Sequence, residues 1–180
     1  YDRQDLYRVL LNSVEDPDRL VEDELILDGD DFPRYQTMVF QTTDNSIVEM
    51  INGQSTTMKT EDPAGWIKGT DIETYLRFLY VLSVENNQIY KYERLSNRYS
   101  APSEYNINGD LTGAMDITID GNVFILKEGG ELMKLLRGEV NPFTIRHLPE
   151  DALVNATKIF KVFDGHLYFL DPVGARVVVA

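Results

Sequence analysis

Four apolar residues in a row recur at Leu79 (LYVL), Val123 (VFIL) and Leu167 (LYFL), and both intervals are 44 residues. A weaker version, MVF from Met38, stands 41 residues before the first. Each run is followed by a turn and a second apolar segment: TTDNS then IVEMI, ENNQ then IYKY, KEGGE then LMKLL, DPVGA then RVVV. Before the runs stand DIETY, MDITI and TKIFKV, the last two closed by Asp120-Gly121 and Asp164-Gly165. Asp-Gly between apolar segments marks a tight hairpin, because glycine supplies the positive φ at no steric cost. The segments are short, β-branched and aromatic, which favours strands over helices. A more polar fourth segment, such as SEYNI or PFTIR, lies between copies.

Four short antiparallel strands every 40–45 residues is the repeat of a β-propeller blade. One four-stranded sheet cannot cover both of its own faces, so runs such as VFIL and LYFL must be sandwiched between neighbouring sheets. The fold class is therefore all-β, a propeller of four-stranded blades with a period of about 44 residues, set against a rival β-sandwich with coincidental spacing. The whole of 1–180 reads as one propeller domain or fragment: 1–23 a partial blade or helix, then blades over 24–60, 70–108 and 113–148, and an incomplete blade over 154–180. LYRVLL (Leu6–Leu11) fits a third strand of an earlier blade, although Leu6, Val9, Leu10 and Val14 also fit a helical stripe. That count exceeds a closed four-bladed ring and points to a larger propeller of about six blades. It also leaves RVVV as an edge that needs a strand beside it, from the N-terminal region, a neighbouring molecule or a continuation.

The stretch YVLSVENNQIYKYERLSNRYSAPSEYNINGDLTGAMDITIDGNVFILKEGGELMKLLRGEVNPFTI, continued by NATKIFKVFDGHLYFLDPVGARVVV, resembles C-terminal propeller domains of bacterial membrane proteins that carry a phosphatase-like domain. MDITIDGNVFIL is similar to NHL-type repeats. This resemblance implies a non-catalytic sensing or docking domain in an extracytoplasmic setting, and it carries no catalytic residue onto the chain.

Charge narrows the partners. The net charge is −13, with eleven acids and three bases in residues 1–31. No basic stripe is present to neutralise phosphates, which argues against nucleic acid and against an anionic membrane surface. No run of apolar residues is long enough for a membrane span. Without cysteine there is no disulfide, thiolate metal site or thiol nucleophile.

Candidates for chemistry are few. His147 and His166 are the two histidines, placed on an outer strand and after a turn, so they should lie apart. LDGDD (Leu27–Asp31) starts like a calcium loop, but Val39 stands where a bidentate glutamate is required, which leaves a polar turn. Asp116 and Asp120 share a strand face, with Asp116 expected near a solvated central channel. The sequence thus assigns no catalytic residue, metal or cofactor. It points to a binding or scaffold module whose partner, a protein or small ligand, meets loops on one face. Those loops are 62–70, 108–112 and 149–155 between blades, and 83–88, 127–130 and 171–174 between middle strands. Trp66, Asn87, Glu128 and Asp171 are the partner-binding candidates, Trp66 with the competing role of packing over an adjacent blade. The alternatives are a hydrolase or lyase with carboxylates at the channel mouth and a structural piece of a larger assembly.

Overall fold

In a computed structural model, which describes residues 19–21, 24–32, 37–149, 151–161 and 165–180, the β-branched and aromatic runs form strands. The first sheet holds β1 (Arg19–Val21), β2 (Glu24–Phe32), β3 (Thr37–Thr42), β4 (Ile47–Ile51) and β5 (Gln54–Met58). The second holds β6 (Asp71–Tyr75), β7 (Phe78–Ser83), β8 (Gln88–Glu93) and β9 (Ser103–Glu104). The third holds β10 (Ala114–Ile119), β11 (Val123–Lys127), β12 (Leu132–Leu136) and β13 (Glu139–Val140). The fourth holds β14 (Lys158–Lys161), β15 (Leu167–Asp171) and β16 (Arg176–Val179). Every pairing is antiparallel between strands consecutive in the chain, so each sheet is an up-and-down meander.

The sheets pack face to face through three apolar layers. Val39 and Ile47 of the first sheet meet Ile72, Leu79, Val81 and Tyr92 of the second. Tyr80, Leu82 and Ile89, on the second sheet's other face, meet Ile117, Val123, Ile125 and Leu135. Phe124 and Leu126 then meet Ile159, Leu167 and Phe169 of the fourth sheet. Strand β11 is buried at every position because it has a sheet on both sides. Strand β15, three registers of the same repeat, alternates buried and half-buried. Only one of its faces is covered.

Several expectations shift. PFTIR is not the fourth strand of its sheet. Gly138, at φ +86°, reverses the chain at once after β12, so the two-residue β13 pairs at Glu139–Val140 and Pro142 follows where no ladder donor is needed. Phe143 instead folds back edge-on against Phe124, with ring centroids 5.3 Å apart. His147 accordingly sits in a bend at φ +62°, not on a strand. LDGDD is no turn either: it lies inside β2, in register with β3 from Asp28↔Gln41 to Asp31↔Met38. Residues 6–14 lie outside the described residues. Among the described residues, β16 has a strand partner only in β15.

Candidate functional site

The innermost strands β6, β10 and β14 lie side by side, and their register makes Asp71, Asp116 and Lys158 equivalent positions, opposite Leu82, Leu126 and Leu170. Each carboxylate reaches into the next sheet. Asp71 Oδ2 accepts the Ile117 N–H at 2.9 Å, and Asp116 Oδ2 accepts the Ile159 N–H. Two residues on, Glu73 Oε1 accepts the Ile119 N–H at 3.2 Å and the Thr118 hydroxyl, whose oxygen accepts the Lys161 N–H at 3.1 Å. The third equivalent position reverses the charge. Lys158 turns back, and its Nζ bonds both Asp71 Oδ1, at 2.9 Å, and Asp116 Oδ1.

Asp116 is thus buried (3% exposed) rather than placed in a solvated channel, because its carboxylate is consumed as an inter-sheet acceptor. Burial raises its pKa, against the opposing pull of Lys158 and the Ile159 N–H. Chemically this is a latch: both carboxylates are tied to backbone and ammonium. Asp120 is separated from it, sitting in the β10–β11 hairpin, where it accepts the Asn122 N–H at 3.0 Å. His166 lies edge-on to Tyr168, just before β15 and away from the sheets that carry the latch carboxylates, and His147 belongs to the connection after β13. Among the described residues no three metal-ligating side chains converge.

The loops at the opposite end of the inner strands from the Asp120 hairpin form a platform. The β3–β4 and β7–β8 hairpins are each hydrogen-bonded to the connection that leads to the next sheet. Asn45 (φ +73°) donates through Nδ2 to the Trp66 carbonyl at 2.7 Å. Asn87 (φ +50°) donates to the Gly109 carbonyl at 3.2 Å and accepts the Leu111 N–H at 2.7 Å. In the third sheet the Glu128 N–H donates instead to the Gly113 carbonyl, in the connection that enters that sheet, at 2.8 Å. Gly130 (φ +83°) lies so close to Leu153 that a Cβ there would stand 2.5 Å from its carbonyl oxygen. Asparagine and glycine occupy these positions because the left-handed backbone penalises other residues.

The four sequence candidates fall on this platform in different ways. Trp66 is half-buried between Tyr92 and Tyr99, with centroids 4.9 and 5.3 Å away, and donates to the Met58 carbonyl. Asn87 is exposed but spends its amide on the clasp. Glu128 is exposed at the turn. Asp171 is buried: its carboxylate accepts the Gly174 N–H at 2.7 Å and Arg176 Nε at 2.8 Å. That turn hydrogen bond, aided by Arg176, lowers its pKa. A lowered acid pKa adds stability above the ordinary carboxylate value of about 3.9 and loses it as pH falls toward the folded value. Asp171→Asn is therefore expected to destabilise the chain at pH 7, with the deficit shrinking steadily below about pH 4. Chemical denaturation across that range checks it, and a deficit independent of pH refutes the assignment.

Beside Glu128 the platform opens into a cleft of about 280 Å³ lined by Gly129, Gly130, Phe143, Leu148, Leu153 and Val154, among others. Sequence reasoning missed Phe143 and Leu148 because PFTIR had been counted as a strand. It also missed Glu49, on β4. Glu49 takes a bidentate pair from Arg94, both bonds 2.7 Å, and the Tyr99 hydroxyl at 2.6 Å. Tyr99 has its pKa raised, by burial first and by Glu49 second. No local pattern links residues 45 and 50 positions apart.

With that geometry the chain is similar to several solved structures. One is PorZ, an essential bacterial surface component of the type-IX secretion system of Porphyromonas gingivalis, at 17% identity and TM-score 0.55, covering 89% of this chain and 21% of that one. The fold is a β-propeller. YCF48, solved bound to D1 peptide, matches at 11% identity and TM-score 0.52, over 90% of this chain and 52% of that one. The extracellular domain of the two component system BT4673 from B. thetaiotaomicron matches at 12% and 0.50, over 81% and 19%. The chain thus spans about half or less of the length of these propeller structures. No protein-family model matches it, and no curated protein matches it in sequence. Among the described residues no helix is long and apolar enough to cross a membrane.

Proposed function

We propose that the chain is a non-catalytic binding module that takes a protein segment on the clasped loop platform, as an extracytoplasmic docking or sensing domain. The observation that carries this reading is the clasp itself. Asn45 and Asn87 hydrogen-bond two hairpins to the connections beyond them, and Gly130 packs close against Leu153, giving a pre-organised surface with a cleft at its edge. The propeller of YCF48 was solved with a peptide, which supports a peptide as the class of ligand. Glu128 and Val154, exposed beside and within the cleft, are the residues a segment would touch first.

A displayed library of random peptides, selected on the intact chain and followed by calorimetry, tests the reading. Val154→Asp and Glu128→Lys are expected to weaken a selected peptide by roughly tenfold or more, about 1.4 kcal/mol, with unchanged melting temperature. Peptides whose affinity ignores both changes would place the binding face elsewhere.

A further inference from the structure

Gln41 is out of step with its counterparts in the next two sheets. In the β3–β4 pair it stands opposite Ile47, as Leu82 stands opposite Ile89 in β7–β8 and Leu126 opposite Leu132 in β11–β12. Leu82 and Leu126 fill the layer against the following sheet. Gln41 is as buried as they are, at 1% exposure, yet it brings a side-chain amide into the layer between the first and second sheets. Its neighbours fix which way that amide points. Asn45 Nδ2 donates to the Trp66 carbonyl at 2.7 Å, so Asn45 turns its Oδ1 to Gln41, which donates to it through Nε2 at 2.8 Å. Gln41 Oε1 is left as a buried acceptor with no donor among the described residues. A Cβ at Gly69 would stand 2.9 Å from that oxygen, so only bare backbone passes beside it.

Gln41 is part of the wall of a cleft of about 310 Å³, lined also by Thr43, Asp44, Asn45, Lys68 and Gly69, among others. Both sheets that flank it belong to this chain. A sheet preceding the first would meet the opposite face, that of Phe40 and Val48, so a further blade is not what fills the cleft. The lining narrows the occupant. The orphaned oxygen calls for an N–H or O–H donor, since a buried acceptor left unmade is costly. Exposed Lys68 calls for an anion and weighs against a metal ion, while exposed Asp44 weighs against phosphate. No aromatic ring lines the cleft to stack a sugar. A ligand that answers all of these carries a cationic donor and a carboxylate on one short skeleton.

We propose that this cleft binds a free α-amino acid, whose ammonium donates to Gln41 Oε1 and whose carboxylate meets Lys68. The site is built from other sheets than the cleft beside Glu128, so the amino-acid site and the peptide site stand or fall separately.

Calorimetric titration of the intact chain with each of the common L-amino acids tests this, with glucose and inorganic phosphate as comparison probes. At least one amino acid is expected to bind, and glucose and phosphate are not. N-acetylation of the bound amino acid, or amidation of its carboxylate, should each weaken it roughly tenfold or more. Gln41→Leu installs the residue that the second and third sheets carry. It is expected to abolish binding while raising the melting temperature of the unliganded chain, because the orphaned acceptor is gone. Lys68→Gln, at an exposed position, should weaken binding roughly tenfold and leave the melting temperature unchanged. Binding that survives Gln41→Leu, or that ignores both N-acetylation and amidation, overturns the proposal. So does a chain that takes none of the amino acids: a melting temperature raised by Gln41→Leu would then mean that the cleft holds water alone.

Discussion

Replacing Lys158 with methionine is expected to lower folding stability by about 3–5 kcal/mol at neutral pH, because two buried carboxylates lose the ammonium between them. Asp71 and Asp116 are 2 and 3% exposed, and neither can reach water without breaking its bond to the next sheet's backbone. The loss should depend on pH in a defined sense. Burial already raises the Asp116 pKa, and removing Lys158 raises it further. An acid whose folded pKa lies above its unfolded value is stabilised by protonation, so its contribution is present below about pH 3.9 and lost as pH rises. The deficit of Lys158→Met is therefore largest near pH 7 and smallest near pH 4. Guanidinium unfolding at several pH values measures it, and a deficit under about 1 kcal/mol at pH 7 would show that the latch carries no net stability. Neutralising all three groups together should cost less than removing the lysine alone.

The Glu49 clasp gives the second large effect. Glu49→Ala removes the bidentate carboxylate partner of Arg94, whose side chain is 12% exposed, and the acceptor of the Tyr99 hydroxyl. The expected cost is again about 3–5 kcal/mol, and it should fall on the first layer, between the first and second sheets. Replacing Glu49 and Arg94 together by leucine and methionine is expected to recover more than half of that loss, since both members of the buried pair are then replaced by apolar groups. If the double replacement is as unstable as Glu49→Ala, the damage comes from packing around Tyr99 and not from loss of the Glu49–Arg94 pair.

These two clusters mark the boundary of what the residues alone disclosed. The repeat was legible because covering a strand on both faces demands an uninterrupted apolar run, and VFIL and LYFL recur at a fixed interval. The hairpins were legible because Asp-Gly and Asn-containing turns have local conformational causes. The latch was hidden although DIETY and MDITI stood in view. Asp71 and Asp116 are 45 residues apart and Lys158 another 42, so they fall out of step with the 44-residue period until the hairpin lengths and the bulge in β10 are known. Glu49 comes from β4 and Arg94 and Tyr99 from the β8–β9 connection, and the trio has no counterpart in the 44-residue repeat. The platform was legible as loops but not as a surface, since the clasps use carbonyls of Trp66 and Gly109, which no side chain announces.

The reversal of charge at the third inner strand also has a genealogical meaning. Blades that arise by copying begin as interchangeable parts, and a chain of identical blades tolerates insertion, deletion or shuffling of whole units. Here the copies have diverged into a fixed order. A unit bearing Lys158 works only downstream of two units bearing Asp71 and Asp116, and moved one place earlier it would face a backbone N–H it cannot accept. The order of these three blades is thereby written into their contacts, so exchanging any two of them would break the latch.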